Sequence, residues 1–195
     1  LTSVAPEGLS QVFFTNGGAE ATDSALKMAM AYSGRAAGIA FMGSFHGRTC
    51  GATSITGSNS KYRRHYEGLM GKVYFAPYPG RDLCPPEIPA DKRGEYSLFE
   101  LNKLLRYIVS PEDVAYIYME PVMGEGGYVV PPKEFMQEVR KICDKYGILL
   151  IYDEVQAGYG RTGKMWASQN FDVIPDIMTV GKAIAGGLPM SAVLT

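Results

Sequence analysis

A chain of 195 residues, with 46% hydrophobic and 20% charged residues, can bury a core of ordinary size and is not expected to be disordered. Its 19 basic and 20 acidic residues leave a net charge of −1, which gives no general attraction to nucleic acid or anionic membranes. No apolar run reaches the roughly 20 residues needed to span a bilayer. These totals exclude nucleic-acid-binding and membrane-spanning classes of protein as first hypotheses.

The cysteines and histidines give no metal-site pattern. The three cysteines lie far apart without a CxxC pair, and His46 and His65 stand at no usual zinc-site spacing from them. We therefore expect reduced thiols, no metal site and a cytoplasmic protein. Residue 1 is Leu rather than a start methionine, and the apolar strand predicted at the other end stops without a capping residue or polar tail. We therefore expect a piece of a longer chain.

Hydrophobic periodicity predicts alternating strands and helices. Strands are predicted over 11–15, 38–42, 73–76, 114–119, 147–152, 177–180 and 190–194. Helices are predicted over 19–32, 98–108 and 132–146, the first with Ala21, Ala25, Met28 and Tyr32 near one face and the last ending at a Gly147 cap. The stretch 50–95, rich in Gly, Pro, Tyr and Arg, is predicted to be a largely irregular connection.

This alternation predicts a three-layer α/β/α fold with a mainly parallel sheet. Sheets of this kind bind ligands at the carboxyl ends of their strands. Five residues of interest follow predicted strand ends: Asn16, Phe45, Glu120, Asp153 and Lys182. The sequence therefore predicts a binding site at one edge of the sheet.

Three of these positions suggest specific chemistry. Gly17 and Gly18 stand between a strand and a helix start, where free N–H groups suit a phosphate, although a plain glycine turn gives the same pattern. Asp153 ends a buried strand and needs a cationic partner such as a protonated pyridine nitrogen, unless it only caps the next loop. Lys182 could form a Schiff base with an aldehyde, or could be an ordinary surface lysine.

A competing motif follows the strand that ends at Asp153. The segment GYGRTGKM at 158–165 nearly fits the phosphate-binding loop of nucleotide hydrolases, and Asp153-Glu154 could be their acidic pair. However, Met165 replaces the hydroxyl residue that binds magnesium. The acidic pair also lies at the end of the strand that would have to lead into the loop, so the two motifs would need the same strand. A nucleotide hydrolase therefore stays a remote alternative.

Five blocks in order resemble the class III aminotransferases, which are pyridoxal-phosphate (PLP) enzymes of fold type I. They are TNGGAEA at 15–21, FHGRT at 45–49, EPVMGEGG at 120–127, DEVQAGYGRTG at 153–163 and PDIMTVGKAIAGGLP at 175–189. The chain looks most similar to 4-aminobutyrate, ornithine and acetylornithine aminotransferases. The resemblance implies that residues 1–195 are the central part of the PLP-binding large domain, without the N-terminal segment and the C-terminal small domain. It departs from many relatives in having Gly17 for Ser and Met123 for Gln.

The resemblance implies roles for five residues around the cofactor's reactive end, nitrogen and phosphate. Lys182 would be the Schiff-base lysine and would carry the proton between the substrate's α-carbon and the cofactor. Asp153 would pair with the pyridine nitrogen, and Gln156 would hydrogen-bond the ring hydroxyl. Gly18 and Ala19 would bind the phosphate through their backbone N–H groups.

The resemblance places five further residues around the ring and the substrate. Phe45 would stack on one face of the ring and Val155 on the other, although Phe45 could instead be a core aromatic. Arg48 would bind a substrate carboxylate through two parallel hydrogen bonds, with Glu120 close to it, unless the two form only a structural ion pair. Glu125 would match the family's gating glutamate, whose arginine partner lies outside this chain.

These assignments imply transfer of an amino group from an ω- or α-amino acid to a 2-oxo acid. A PLP-dependent racemase or mutase on the same scaffold stays open, because the chemistry at the α-carbon is shared. A non-catalytic relative is disfavoured by the intact set of Lys182, Asp153 and Gln156. The resemblance also implies a homodimer with shared active sites, so this segment alone is expected to be inactive or weakly active.

Overall fold

The computed structural model describes residues 1–66 and 71–195. In that part of the chain, seven strands form one sheet and four α-helices pack around it. The strands are β1 (Val12–Thr15), β2 (Ala37–Phe41), β3 (Val73–Ala76), β4 (Val114–Met119), β5 (Leu149–Asp153), β6 (Ile177–Val180) and β7 (Ser191–Leu194). The helices are α1 (Gly18–Ser33), α2 (Cys50–Ile55), α3 (Arg93–Tyr107) and α4 (Lys133–Tyr146).

The sheet order is β1-β7-β6-β5-β4-β2-β3. The five strands from β6 to β3 run parallel, whereas β7 is antiparallel to both of its neighbours. β1 therefore points in the same direction as the parallel strands. The carboxyl ends of β1, β2, β4, β5 and β6 consequently share one edge of the sheet. The mainly parallel sheet predicted from the sequence is confirmed.

Helices cover both faces of this sheet, because alternate residues of the central strands point to opposite sides. Leu150 and Tyr152 of β5 pack with Leu101 of α3 and Phe135 of α4. Ile151, between them in sequence, packs on the other face in the cluster that contains the alanines of α1. The α/β/α fold class is thereby confirmed.

The long helices agree with their predicted positions except at their ends. α4 ends at Gly147, whose left-handed φ of 62° lets its N–H reach the carbonyl oxygen of Cys143, as predicted. In α1, Ala21 and Ala25 are fully buried as expected, but Tyr32 is 85% exposed. Tyr32 borders an open cavity instead of packing on the sheet, so the predicted face is buried only over the first part of the helix.

The connection 50–95 is more ordered than predicted. The short helix α2 forms within it, and α3 begins at Arg93, five residues before the predicted start at 98. Both segments lack the regular apolar spacing on which the prediction depended. Part of the connection, 67–70, lies outside the described residues. Within the described residues, no helix is long and apolar enough to cross a membrane.

Candidate active site

A cavity of about 570 Å³ opens at the carboxyl edge of the sheet. It is lined by Gly18, Ala19, Phe45, His46, Gly47, Arg48, Glu120, Glu125, Asp153, Val155, Gln156 and Lys182. All ten site residues predicted from the sequence are in this lining. They come from the loops that follow β1, β2, β4, β5 and β6, so the strand directions described above bring them together.

Asp153, the last residue of β5, has two hydrogen-bond partners. One carboxylate oxygen accepts from the Val155 N–H at 3.0 Å, and the other lies 2.7 Å from Nδ1 of His46. Asp153 and His46 are both buried, at 5% and 3% exposure. Nε2 of His46 has no partner among the described residues. The hydrogen-bond partner of His46 is thus Asp153, the candidate partner of the cofactor nitrogen.

Lys182 begins a short 3-10 turn directly after β6. Its amine donates to Oε1 of Gln156 at 2.5 Å, so the side chain lies along the cavity wall. Lys182, Gln156 and Val155 also line a second cavity of about 410 Å³, which contains Arg161 of the GRTG segment. The amine at 182 and the carboxylate at 153 thus face one cavity, which is the arrangement the sequence predicted.

The first turn of α1 supplies unpaired donors. The N–H groups of Gly18 and Ala19 precede the first intrahelical hydrogen bond and have no acceptor among the described residues. A Cβ atom at Gly18 would lie 3.0 Å from Cγ1 of Val155, so glycine allows the helix start to approach the cavity wall. Such a helix start favours an anion.

Glu120 follows β4 and is 3% exposed. Its carboxylate accepts from the N–H of Phe45 at 3.0 Å and from the N–H of Gly124 at 2.8 Å. Burial raises its pKa from 4.5 to about 7, because the charged form loses solvation. Among the described residues, no ion pair joins Glu120 to Arg48, so the alternative of a structural ion pair between these two side chains is not supported.

Arg48 instead lies against aromatic rings. The guanidinium carbon is 5.9 Å from the centre of the Phe45 ring and 5.2 Å from that of Tyr62. The two rings meet edge to face at 5.2 Å. Cation–π contacts of this kind orient an arginine without neutralising it, so Arg48 keeps its hydrogen-bond donors for a carboxylate. Glu125, which is exposed, accepts from the Ser58 hydroxyl at 3.3 Å.

Sequence reasoning missed two buried hydrogen-bonding groups, one beneath the cavity and one outside its lining. The Tyr118 hydroxyl, beneath His46, hydrogen-bonds the hydroxyls of Thr22 and Thr179. Glu154 accepts the backbone N–H groups of 167 and 168 and so fastens the following loop to β5. Every residue of β4 is buried, so burial of Tyr118 follows from its place in an apolar strand, but no local pattern identifies its partners in the chain.

The segment 158–165 does not have the surroundings of a nucleotide-binding loop. Such a loop opens an α-helix, whereas the next helical element here is the 3-10 turn Ala167–Asn170. Gly158 packs on the Trp166 ring, where a Cβ would lie 3.0 Å from Cε3. The described residues also contain no cluster of three side chains suited to a metal ion. The nucleotide-hydrolase alternative is therefore not supported.

A sequence model of class III aminotransferases matches residues 1–195. The chain belongs to the class III aminotransferases. It is 38% identical to a probable 4-aminobutyrate aminotransferase of Bacillus subtilis (strain 168), with 94% of the chain and 42% of that protein aligned. It is 40% identical to an isoleucine 2-epimerase of Lentilactobacillus buchneri, with 100% of the chain and 44% of that protein aligned. The chain thus spans less than half the length of these relatives.

A solved structure of taurine:2-oxoglutarate aminotransferase from Bifidobacterium kashiwanohense, in complex with PLP and glutamate, superposes with a TM-score of 0.87. It is 38% identical, and the match covers 99% of this chain and 44% of that one. Class III aminotransferases depend on PLP. The class III and fold predictions are confirmed, and the comparisons extend to both aminotransferases and an epimerase.

The residues of this class III cavity fit PLP. The group has a phosphate, a pyridine nitrogen and an aldehyde, and the cavity offers matching partners for all three. The unpaired N–H groups of Gly18 and Ala19 suit the phosphate, the buried carboxylate of Asp153 suits the protonated nitrogen, and the amine of Lys182 suits the aldehyde. The roles of the individual residues remain predictions.

Proposed function

We propose that the protein containing this segment is an aminotransferase that moves an amino group from an ω- or α-amino acid, of the 4-aminobutyrate or ornithine type, to a 2-oxo acid. The observation that supports it best is the convergence of all ten predicted site residues on one cavity. We also propose, from the resemblance, that residues 1–195 are the central part of the PLP-binding large domain, of a protein whose relatives are more than twice as long.

PLP, when bound, acts as an electron sink for the bonds at the substrate's α-carbon. In the proposal, Asp153 keeps the ring nitrogen protonated, and His46 holds the Asp153 carboxylate in place through its Nδ1 contact. The Lys182 amine takes and returns a proton at the α-carbon, within reach of Gln156. Arg48 binds a substrate carboxylate at the cavity mouth.

The decisive test of cofactor binding compares two lysines. We expect the purified protein to show the visible absorbance of PLP bound to a lysine, and Lys182→Ala to abolish it. Lys164→Ala, in the GRTGK segment, is the matched control and should leave the absorbance unchanged. Loss of absorbance in the Lys164 variant alone would refute the assignment of Lys182.

A racemase or epimerase is the second candidate, because an isoleucine 2-epimerase is 40% identical to the chain. Incubation with one L-amino acid and no 2-oxo acid separates the two. A racemase produces the D-form continuously, whereas an aminotransferase stops after one half-turnover. Chiral chromatography of the amino acid over time gives the answer, and steady formation of the D-form would overturn the aminotransferase proposal.

The partners of the protein also belong to this proposal. We expect a homodimer in the cytoplasm, with amino-acid and 2-oxo-acid substrates and active sites completed by both subunits. The three cysteines are free, which suits a reducing compartment. Because the chain spans less than half of its relatives, we expect the segment alone to turn over weakly or not at all. Clear bleaching of the cofactor by an amino donor in the isolated segment would contradict that expectation.

A further inference from the structure

The Glu120 carboxylate connects two loops that belong to different strands. One oxygen accepts the N–H of Phe45, in the loop after β2, and the other accepts the N–H of Gly124, in the loop after β4. Both distances, 3.0 and 2.8 Å, are those of good N–H···O hydrogen bonds. The side chain is 3% exposed, so water does not substitute readily for either donor.

The two loops approach each other so closely that only glycines fit between them. A Cβ atom at Gly126 would lie 2.3 Å from the carbonyl oxygen of Gly43. A Cβ atom at Gly124 would lie 2.5 Å from Nε2 of Gln156 and 3.2 Å from the Glu120 carboxylate. A shift of the 123–127 segment is therefore transmitted to Gln156 and to the loop of Phe45.

In the described part of the chain, neither the arginine nor the lysine of the cavity pairs with this carboxylate. The guanidinium of Arg48 rests on the rings of Phe45 and Tyr62. The lysine of the cavity, Lys182, donates to Gln156. Both oxygens of Glu120 are thus committed to backbone donors, which differs from the substrate-binding role that the resemblance implied.

We propose that Glu120 is a positioning residue, which holds Phe45 on one wall of the cofactor cavity and Gly124, and through it Gln156, on another. This inference rests on the proposed function, because Phe45 and Gln156 matter only if the cavity binds PLP. Glutamine at 120 has one acceptor oxygen and one NH2 group, so it can serve only one of the two N–H donors and opposes the other.

Glu154 provides a matched control. Its carboxylate is also buried and also accepts two backbone N–H groups, from Ala167 at 3.0 Å and Ser168 at 2.8 Å, but it is absent from the cavity lining. Glu120→Gln and Glu154→Gln therefore make the same chemical change in equally buried sites. The first changes the cavity walls, and the second changes a loop outside the cavity.

The first measurement is backbone hydrogen exchange in the full-length apo-protein. In Glu120→Gln we expect exchange to rise about tenfold at Phe45 or Gly124 and to stay unchanged at Ala167 and Ser168. Glu154→Gln should give the reverse pattern. Unchanged exchange at both Phe45 and Gly124 in Glu120→Gln would overturn the proposal. If that variant does not fold, Glu120→Asp, whose shorter side chain cannot span both donors, takes its place.

The second measurement is the affinity for PLP, from absorbance titration of the apo-protein. We expect Glu120→Gln to weaken binding about tenfold, which corresponds to about 1.4 kcal/mol, and Glu154→Gln to change it less than twofold. Equal weakening in both variants would mean that Glu120 is only structural, and would refute the positioning role. Wild-type protein that binds no PLP would instead refute the proposed function.

Discussion

Glu154 should make the stability of the protein fall as the pH rises above 5. Its carboxyl is fully buried, and burial raises its pKa from 4.5 to about 7, although the N–H groups of Ser168 and Ala167 oppose the shift. Between these two values the folded state holds a proton that the unfolded state has released. The folded state is therefore favoured at low pH, and this contribution is lost as the pH rises through about 7.

The size of the effect follows from the two pKa values. With pKa values of 4.5 unfolded and about 7 folded, linkage gives a loss of about 2.5 kcal/mol between pH 5 and pH 8. Glu154→Gln cannot titrate, so its free energy of unfolding should lack this loss. Burial also raises the pKa of Glu120 to about 7, but that residue is present in both proteins and its contribution cancels.

Urea unfolding of the apo-protein at pH 5 and pH 8, for wild type and Glu154→Gln, measures this difference. At a single pH, the difference in free energy of unfolding between the two proteins also includes the lost hydrogen bonds. The quantity of interest is therefore the change of that difference between pH 5 and pH 8. We expect the wild type to lose about 2.5 kcal/mol relative to the variant from pH 5 to pH 8. An offset that is the same at both pH values would refute the reasoning.

Two further predictions concern the cavity. Gly18→Ala puts a methyl group 3.0 Å from Val155 Cγ1, whereas the methyl group of Gly17→Ala meets nothing within 4 Å. Only Gly18→Ala should therefore weaken PLP binding, by about tenfold in an absorbance titration. Equal affinities of the two variants would contradict the close approach of the α1 start to Val155. His46→Ala removes the 2.7 Å contact to Asp153 and leaves a buried carboxylate without its side-chain partner. It should lower the free energy of unfolding in urea by about 3 kcal/mol, and a loss under about 1 kcal/mol would show that the pair contributes little.

Periodicity was sufficient to predict the central strands and α4, because their burial is regular. β5 is nearly continuous in apolar residues, as expected for a strand covered on both faces, and Gly147 has the left-handed backbone that the C-cap prediction requires. α2 was missed because its six residues, CGATSI, are held by tertiary contacts rather than by an amphipathic pattern. Tyr32 was misassigned because spacing gives the direction of a side chain and not whether anything covers it.

Strand ends predicted the edge of the sheet at which the site lies, whereas most of the ten site residues came from the resemblance to class III aminotransferases. Hydrogen-bond partners were harder to predict, since they depend on distances between loops that are remote in sequence. Arg48 illustrates this limit: it was expected to bind a substrate carboxylate with Glu120 nearby, and its contacts with the rings of Phe45 and Tyr62 were not foreseen. The pairing of His46 with Asp153 joins positions 107 residues apart, for which no local pattern exists.

The backbone conformation of Lys182 bears on an alternative that the sequence left open, namely that this residue is an ordinary surface lysine. Its φ is 47°, in the left-handed region that costs a non-glycine residue about 1–2 kcal/mol. Glycines follow at 186 and 187, so the chain has residues nearby that could adopt positive φ without this cost. A lysine that served only solubility would gain nothing from the strain, and its amine would point to water. Lys182 is exposed, yet its amine contacts Gln156 at the cavity wall, so the strained conformation supports a functional role for the side chain.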